Sequence, residues 1–306
     1  MEINLKKIST ENKNENTKNI DLLSTGDILK KINDEDKKVA FAVEEAIPQI
    51  TKLVDETTKA IYDDGRLIYI GAGTSGRIGI LDAVECPPTY GVSFEVVQCL
   101  MAGGSKAFIK AVEGAEDSKE LAVEDLKRIN LTEKDVVVGI AASGRTPYVI
   151  GGIEYAKSVN AKTGCIVTSS NSVLASLVDY PIEAITGEEV ITGSTRMKSG
   201  TAQKMICNMI STSTMIKLGK VYENYMIDVQ PTNQKLVARA EGIVKEAANV
   251  SIEVAREKIN KFGTVKKALF SILSGIDDVN EVNKYLDKTK GHIRNALELI
   301  RREKND

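Results

Sequence analysis

The stretch "RLIYIGAGTSGRIGILDAVECPPTYG", residues 66–91, decides the fold. It opens on an apolar run typical of a buried strand and continues through Gly71-x-Gly73-x-x-Gly76. A segment with helical character follows the glycines. A strand, a glycine-rich turn and a helix in this order often bind phosphate groups through backbone N–H groups of the turn and of the helix N-terminus. The question that this stretch raises is whether the turn binds a dinucleotide or another ligand.

Four more apolar runs follow along the chain, and helix candidates separate them. The runs are SFEVVQC, DVVVGIAAS, TGCIVTSS and the weaker YPIEAIT, and the helix candidates lie near 75–85, 105–129, 146–159 and 171–178. Strands that are apolar on both faces and alternate with helices predict a parallel sheet covered on both sides. The fold class is therefore α/β, with a five-stranded, mainly parallel sheet.

The regions on either side of this unit differ in character. Residues 1 to about 20 are rich in Asn, Lys and Glu and predict a mobile or partner-dependent arm. Asn33 is a plausible N-cap for a helix that Pro48 interrupts or bends and that Gly65 can end. No strand is evident beyond about residue 220, where amphipathic helices predominate. We expect three parts: an arm with helices (1–56), the α/β domain (57–220) and a small helical subdomain (221–306).

Composition excludes several classes of function. The net charge of −2 gives no argument for nucleic acid or an anionic membrane as partner. The four cysteines are widely spaced, and a single histidine, His292, makes a histidine-based triad or metal site hard to build. No spanning helix or signal peptide is evident, so we expect a cytoplasmic protein with reduced thiols.

The dinucleotide interpretation fails on its second requirement. It needs an acidic residue at the carboxyl end of the second strand to bind the ribose. Here SFEVVQC runs into LMAGGSK with no Asp or Glu at that end, and Glu95 lies at the start of the strand. Nicotinamide cofactors are therefore disfavoured.

Hydroxyl groups mark the glycine turn and two other loops that follow strands. Helix N-termini with Ser and Thr suit a phosphate or sugar hydroxyls, although each hydroxyl could instead cap its own helix. Three such loops at one edge of a sheet favour a ligand site. The candidate binding residues are Thr74, Ser75 and Arg77 in the first hydroxyl loop, Ser143, Arg145 and Thr146 in the second, and Ser194, Thr195, Ser199 and Thr201 in the third.

These loops resemble those of the sugar isomerase (SIS) domain, a three-layer α/β/α sandwich that binds phosphosugars. More narrowly, "GAGTSGRIGILDAVECPPTYG", "EGAEDS", "ASGRTPYV" and "TGSTRMKSGTAQKMICNMIST" resemble the N-acetylmuramic acid 6-phosphate etherase family. The similarity runs from "LSTGDILKKINDED" to the C-terminal helices, with the arm and the final helices least distinct. The resemblance implies a lyase of amino-sugar and peptidoglycan catabolism that releases D-lactate and N-acetylglucosamine 6-phosphate without metal or cofactor.

The resemblance also implies two catalytic carboxylates. Glu85 of "ECPPT" would be the proton donor, and Glu116 of "EGAEDS" the second acid/base. Glu85 is predicted in the last turn of a helix, where an anion opposes the dipole, and Pro87 and Pro88 are predicted to stop that helix. Glu116 precedes a helix that Asp117 or Ser118 could cap, and Glu113 competes with it.

Alternatives share the same fold. A non-catalytic phosphosugar sensor like the glucokinase regulatory protein needs the hydroxyl loops but no paired carboxylates. An aldose–ketose isomerase needs one base and no acid at a C3 ether, and a transcription regulator would carry a helix-turn-helix domain, which is not evident. Thr74 and Glu85 are separated by roughly 16 Å on a straight helix. Either another loop holds the phosphate or a second subunit shares the site, so we expect a homodimer with the substrate as its only other partner.

Overall fold

The computed structural model describes residues 9–110, 112–229 and 234–304. The main sheet consists of β1 (Leu67–Gly71), β2 (Val97–Met101), β3 (Val136–Ile140), β4 (Lys162–Val167) and β5 (Tyr180–Glu183), and a short hairpin of β6 (Val221–Tyr222) and β7 (Tyr225–Met226). The helices are α1 (Thr25–Glu45), α2 (Ile47–Tyr62), α3 (Gly73–Tyr90), α4 (Gly104–Ile109), α5 (Lys119–Arg128), α6 (Pro147–Ser158), α7 (Val173–Leu177), α8 (Lys198–Lys217), α9 (Gln234–Ala248), α10 (Ile252–Phe262), α11 (Val265–Ser274), α12 (Val279–Lys288) and α13 (Ile293–Glu303).

The sheet has the order β2-β1-β3-β4-β5, and every pair is parallel. The five predicted strands are all present, so the prediction of an α/β fold with a five-stranded parallel sheet is confirmed. Gly71, at the end of β1, lies opposite Met101 of β2 and Ile140 of β3. The strand order reverses at β1, and open parallel sheets of this kind bind ligands beyond the carboxyl ends of the strands at such a point.

Helices cover both faces of the sheet. On one face α5 and α6 bury Ile68 and Ile70 of β1 in a continuous apolar cluster. Gly152 of α6 has no Cβ, which lets this helix approach β1 so closely that a Cβ would lie 2.5 Å from Ile70 Cδ1. On the other face Tyr69 meets α3 at Gly79 and α8 at the Cys207 carbonyl. These contacts give the three-layer α/β/α sandwich that the sequence predicts.

The two prolines of "ECPPT" do not end their helix. Pro87 and Pro88 lie inside α3, which continues to Tyr90. Proline φ angles are compatible with a helix, and the last turn closes when Gly91 N–H donates to the Pro87 carbonyl at 2.9 Å. Gly91 then ends the helix with a positive φ of 62°. The predicted helix end was therefore wrong, and Glu85 is not in the last turn.

The amino-terminal predictions need two corrections. Helix α1 begins at Thr25 and not after Asn33, because Ser24 caps it and accepts a hydrogen bond from Asp27 N–H at 3.3 Å. The described part of the arm is packed against the rest of the chain, since Thr10, Asn14 and Thr17 are buried. Residues 1–8 of the predicted arm lie outside the described residues. The break at Pro48 is confirmed, since α2 starts at Ile47 with the proline in its first turn.

The described chain divides into two compact units, with boundaries after Val84, Ser93 and Ser211. The first unit contains the sheet and the second contains α9–α13, which enclose their own apolar core around Phe270 and Val244. The hairpin of β6 and β7 corrects the expectation that no strand follows residue 220. The division into 1–56, 57–220 and 221–306 stays a prediction. No helix in the described residues is long and apolar enough to span a membrane.

Candidate active site

A cleft of about 290 Å³ lies beyond the carboxyl ends of β1 and β2. Its lining contains Gly73 and Arg77 from the start of α3, and Glu113 and Glu116 from the segment before α5. Glu116 lies in a single 3-10 turn, Ala115–Asp117, and Ser118 caps α5 by accepting from Leu121 N–H at 3.1 Å. Glu116 is thus free of a capping role. The cleft brings two neighbouring carboxylates to the glycine turn.

Arg77 is held by backbone carbonyls. Its Nε donates to the Phe108 carbonyl and its Nη2 to the Ala107 carbonyl, each at 2.8 Å. These carbonyls belong to the last turn of α4, where acceptors are unsatisfied by the helix itself. Arg77 therefore fixes α4 to α3 and contributes a positive charge to the wall of the cleft.

The first hydroxyl loop contacts the start of α8. Ser75 Oγ donates to Gln203 Oε1 at 2.9 Å, and Thr74 Cγ2 would lie 3.5 Å from a Cβ on Gly200. Gln203 is 1% exposed, and its Nε2 has no hydrogen-bond partner among the described residues. Thr74 and Ser75 are thereby placed next to the third hydroxyl loop, as the sequence predicts for loops at one edge of the sheet.

The third hydroxyl loop leads into α8, and a carboxylate of the chain already binds the N-terminus of this helix. The fully buried Glu189 carboxylate accepts from Lys198 N–H at 2.8 Å and from Ser199 N–H at 2.9 Å. It also accepts from Ser199 Oγ at 2.7 Å, and Ser199 Oγ accepts in turn from Thr168 Oγ1 at 2.9 Å. A carboxylate suits the positive end of a helix, so the chain itself supplies the anion here. Sequence reasoning missed Glu189, because nothing local in "TGEEV" distinguishes it from Glu188.

The other loop residues have mixed environments. Thr168, whose Oγ1 donates to Ser199, also donates through its backbone N–H to the Ala142 carbonyl at 2.9 Å, next to Ser143. Gly144 lies at a φ of 64°, and a Cβ there would lie 2.5 Å from Ser172 Cβ. Thr146 is the N-cap of α6 but makes no side-chain capping bond. Ser143, Thr146, Ser194 and Thr195 are partly exposed, and Arg145 and Thr201 are exposed.

A second polar network, absent from the sequence predictions, locks α3 to α8. Asp82 is 5% exposed, and its carboxylate accepts from Asn208 Nδ2, Ser211 Oγ and Tyr69 Oη at 2.7, 2.9 and 3.1 Å. Burial raises the pKa of Asp82 above its usual range, although these three hydrogen bonds act in the opposite direction. Asp82 and Glu85 are one turn apart on α3, and only Asp82 is buried.

Glu85 belongs to the second unit, and the Glu116 cleft to the first. The Glu85 side chain is exposed and makes no hydrogen bond or ion pair with any described residue. Of the two carboxylates that the resemblance implies, Glu116 lines this cleft. The assignments of both remain predictions. No group of three or more His, Cys, Asp or Glu side chains in the described ranges is arranged to hold a metal ion.

Comparison with known proteins places this fold and these loops in a family. Residues 49–157 match the glucokinase regulatory protein N-terminal SIS domain, and residues 118–213 match the SIS domain. N-acetylmuramic acid 6-phosphate etherase of Clostridium beijerinckii is 55% identical over 299 residues, covering 97% of this chain and 98% of that protein. The enzyme of the same name from Bacillus cereus strain AH187 is 53% identical over 294 residues, covering 96% and 100%. Among solved structures, a phosphoheptose isomerase from Francisella tularensis matches 63% of this chain and 98% of its own, with 14% identity and a TM-score of 0.48.

The expected resemblance is confirmed by these relatives, whose similarity extends over nearly the whole chain. The match to the glucokinase regulatory protein domain covers a smaller part, residues 49–157. The chain belongs to the N-acetylmuramic acid 6-phosphate etherase family of SIS-domain proteins.

Proposed function

We propose that this protein cleaves the D-lactyl ether of N-acetylmuramic acid 6-phosphate, giving N-acetylglucosamine 6-phosphate and D-lactate. The observation that carries the proposal is the 55% identity, over 97% of the chain, to an etherase of that name. The reaction belongs to the carbon–oxygen lyases and serves amino-sugar and peptidoglycan catabolism. Its substrate is a small sugar with two anionic groups, a phosphate and a carboxylate.

The proposed chemistry needs one base and one acid. In the ring-opened sugar the C1 aldehyde makes the C2 proton acidic. A base removes that proton, the C2–H electron pair becomes the C2–C3 double bond, and the C3–O bond breaks. An acid gives its proton to the departing lactyl oxygen, and water then adds across the double bond, with its oxygen at C3. Each positioned acid or base contributes about 10²–10⁴-fold to such a reaction.

Two glutamates are assigned to these roles. Glu85 is the acid toward the lactyl oxygen and Glu116 is the C2 base. The position of Glu116 in the cleft at the glycine turn supports its assignment, and its neighbour Glu113 lines the same cleft. The two roles require opposite proton transfers, since the acid gives a proton to the lactyl oxygen while the base takes one from C2.

The hydroxyl loops are proposed to bind the phosphosugar. Helix α3 starts at Gly73, and the first N–H groups of a helix have no acceptor within it, which suits a phosphate. Thr74 and the unsatisfied Gln203 amide, whose Oε1 accepts from Ser75 Oγ, add donors at the same place. By contrast, the start of α8 is neutralised by Glu189, so the phosphate is assigned to α3.

A homodimer and a cytoplasmic location complete the proposal. Leu81 and Val84 of α3 are 50% and 46% exposed, which supports a subunit contact along this helix. The charged sugar phosphate does not cross a membrane unaided, so enzyme and substrate have to share a compartment.

The central test is incubation of the pure protein with N-acetylmuramic acid 6-phosphate in ¹⁸O-labelled water. We expect D-lactate without the label and N-acetylglucosamine 6-phosphate with ¹⁸O at C3. Absence of lactate contradicts the etherase proposal, and label in lactate contradicts elimination. A phosphosugar sensor, the second candidate because of the match over residues 49–157, would bind the sugar and leave it intact.

The roles of the carboxylates are separated by hydrogen exchange at C2. Glu116→Gln should lose both lactate release and exchange of the C2 hydrogen with solvent. Glu85→Gln should lose lactate release but keep slow exchange. Glu113→Gln is the matched control, because it removes a charge from the same cleft. Exchange that is lost only in Glu85→Gln would reverse the two assignments.

A further inference from the structure

The segment of residues 9–22, here called the strap, is fastened to the third hydroxyl loop. Thr17 Oγ1 donates to the Val190 carbonyl at 2.8 Å, and Gly193 N–H donates to the Thr10 carbonyl at 3.2 Å. Asn14 Nδ2 donates to Glu35 at 2.9 Å and to the Glu188 carbonyl at 3.2 Å. Since Thr10, Asn14 and Thr17 are all buried, these bonds fix the strap along residues 188–193.

This fastening places Glu11 against the loop. A Cβ on Gly193 would lie 3.0 Å from Glu11 Oε2, and Gly193 has a φ of 76°, which favours glycine. The next residues, Ser194 and Thr195, lead to Gly200, whose N–H donates to the Thr195 carbonyl at 3.0 Å. A Cβ on Gly200 would lie 3.5 Å from Thr74 Cγ2 in the glycine turn. The Glu11 carboxylate therefore lies at the same edge as the candidate site.

Among the described residues of the strap, Glu11 differs from Asn14, Glu15 and Thr17 because no described residue pairs with its side chain. Asn14 and Thr17 fasten the strap, and Glu15 faces Lys18 at 3.9 Å. The Glu11 carboxylate, which is partly exposed, forms no hydrogen bond or ion pair with any described residue. As far as the described residues are concerned, its polar atoms are available to a ligand at the third loop.

We propose that Glu11 is a substrate-binding residue of the etherase site and accepts hydrogen bonds from uncharged donors of the sugar. This inference rests on the proposed function. The substrate carries two anionic groups, the phosphate and the lactyl carboxylate, and both repel a carboxylate. Its hydroxyls and its acetamido N–H are the donors that a carboxylate binds well. Glu11 thus orients the neutral part of the sugar, while the helix start of α3 takes the phosphate.

The test compares Glu11→Ala with Glu15→Ala, a matched change on the exposed side of the same strap. Glu11 has no partner in the described chain, so neither change should alter the melting temperature. Loss of a hydrogen bond to a charged group should lower kcat/KM for lactate release about 10- to 100-fold in Glu11→Ala. Glu15→Ala should stay within about twofold of wild type.

Product inhibition distinguishes two causes of a lower activity in Glu11→Ala: the loss of a contact with the sugar, and a displacement of the third loop. N-acetylglucosamine 6-phosphate keeps the neutral donors, so its inhibition constant should rise by a similar factor in Glu11→Ala. The constant for inorganic phosphate should not change. An activity of Glu11→Ala within twofold of wild type overturns the inference, and so does an equal loss of affinity for both inhibitors.

Failure of the proposed function gives a different result. In that case the wild-type protein releases no lactate, and the affinity for N-acetylglucosamine 6-phosphate decides the role of Glu11. A tenfold weaker affinity in Glu11→Ala alone supports sugar binding by Glu11. An unchanged affinity, or no binding by the wild type, overturns it.

Discussion

The buried ion pair between Lys198 and Glu35 should contribute strongly to the stability of the first unit. Lys198 Nζ lies 2.9 Å from Glu35 Oε2, and the two side chains are 2% and 4% exposed. Replacement by an apolar side chain of similar length, Lys198→Met, leaves the Glu35 charge buried without this partner. Such a loss costs about 3–5 kcal/mol. Because Lys38, Asn14 and Asn16 still donate to Glu35, we expect about 3 kcal/mol, the lower end.

The titration of Glu35 reflects all the donors around it, and Lys198 is one of them. Burial by itself would raise the pKa of Glu35, but hydrogen bonds from Lys38, Lys198 and Asn14 outweigh it and lower that pKa from 4.5 to about 2. This lowering corresponds to about 3 kcal/mol of stability. The sign follows from the depressed pKa in the folded state: the contribution is present above about pH 4.5 and is lost as the pH falls toward 2. Lys198→Met should reduce this loss.

The assay is hydrogen exchange measured by mass spectrometry on peptides that cover β1 and β3. The second unit has a core of its own, so a whole-chain signal would mix two transitions. Lys37→Met is the matched control, because Lys37 and Asp34 are largely exposed and their pair is worth less than about 1 kcal/mol. The double variant Glu35→Met/Lys198→Met should recover part of the loss. A cost below about 1 kcal/mol for Lys198→Met, or an unchanged acid profile, would refute the reasoning.

Three further predictions concern the same unit. Gly144→Ala should destabilise it by about 2–4 kcal/mol, measured by hydrogen exchange of the same peptides, since φ is 64° and the added Cβ would meet Ser172 at 2.5 Å. Ala142→Gly at the same loop serves as control. Glu189→Gln should cost about 2–3 kcal/mol by removing a charged cap of α8, seen as faster amide exchange at its first turn, and unchanged exchange there would contradict the capping role. Burial would raise the pKa of Asp135, but Arg66 and Thr132 lower it, so the stability that it provides is lost below about pH 4. Asp135→Asn should therefore flatten the acid branch of the stability profile, and a wild-type profile in this variant would contradict that origin.

The acidic residues differ in how well their positions can be predicted from the sequence. Glu116 was chosen from a family resemblance, and the structure places it in a cleft that also contains Glu113 and the glycine turn. Glu85 was supported by a helix-end argument that fails, because α3 continues through Pro87 and Pro88. No local pattern distinguishes Glu11 from the other polar residues of the arm. Its position depends on hydrogen bonds of the strap to residues 188–193.

The α/β class, the five strands of the sheet and the hydroxyl loops at its carboxyl edge can all be predicted from the sequence. These features follow from periodicity and turn chemistry, which act between residues close in the chain. Only the tertiary structure decided that Glu189 caps α8, that Asp82 joins α3 to α8, and that the strap fastens to the third loop. The hydrogen bonds of Asp82 to α8 and of the strap to the third loop join residues that lie more than 120 positions apart in the chain. No local pattern encodes such a partner, because the cost of leaving a polar group unpaired arises only when packing removes it from water.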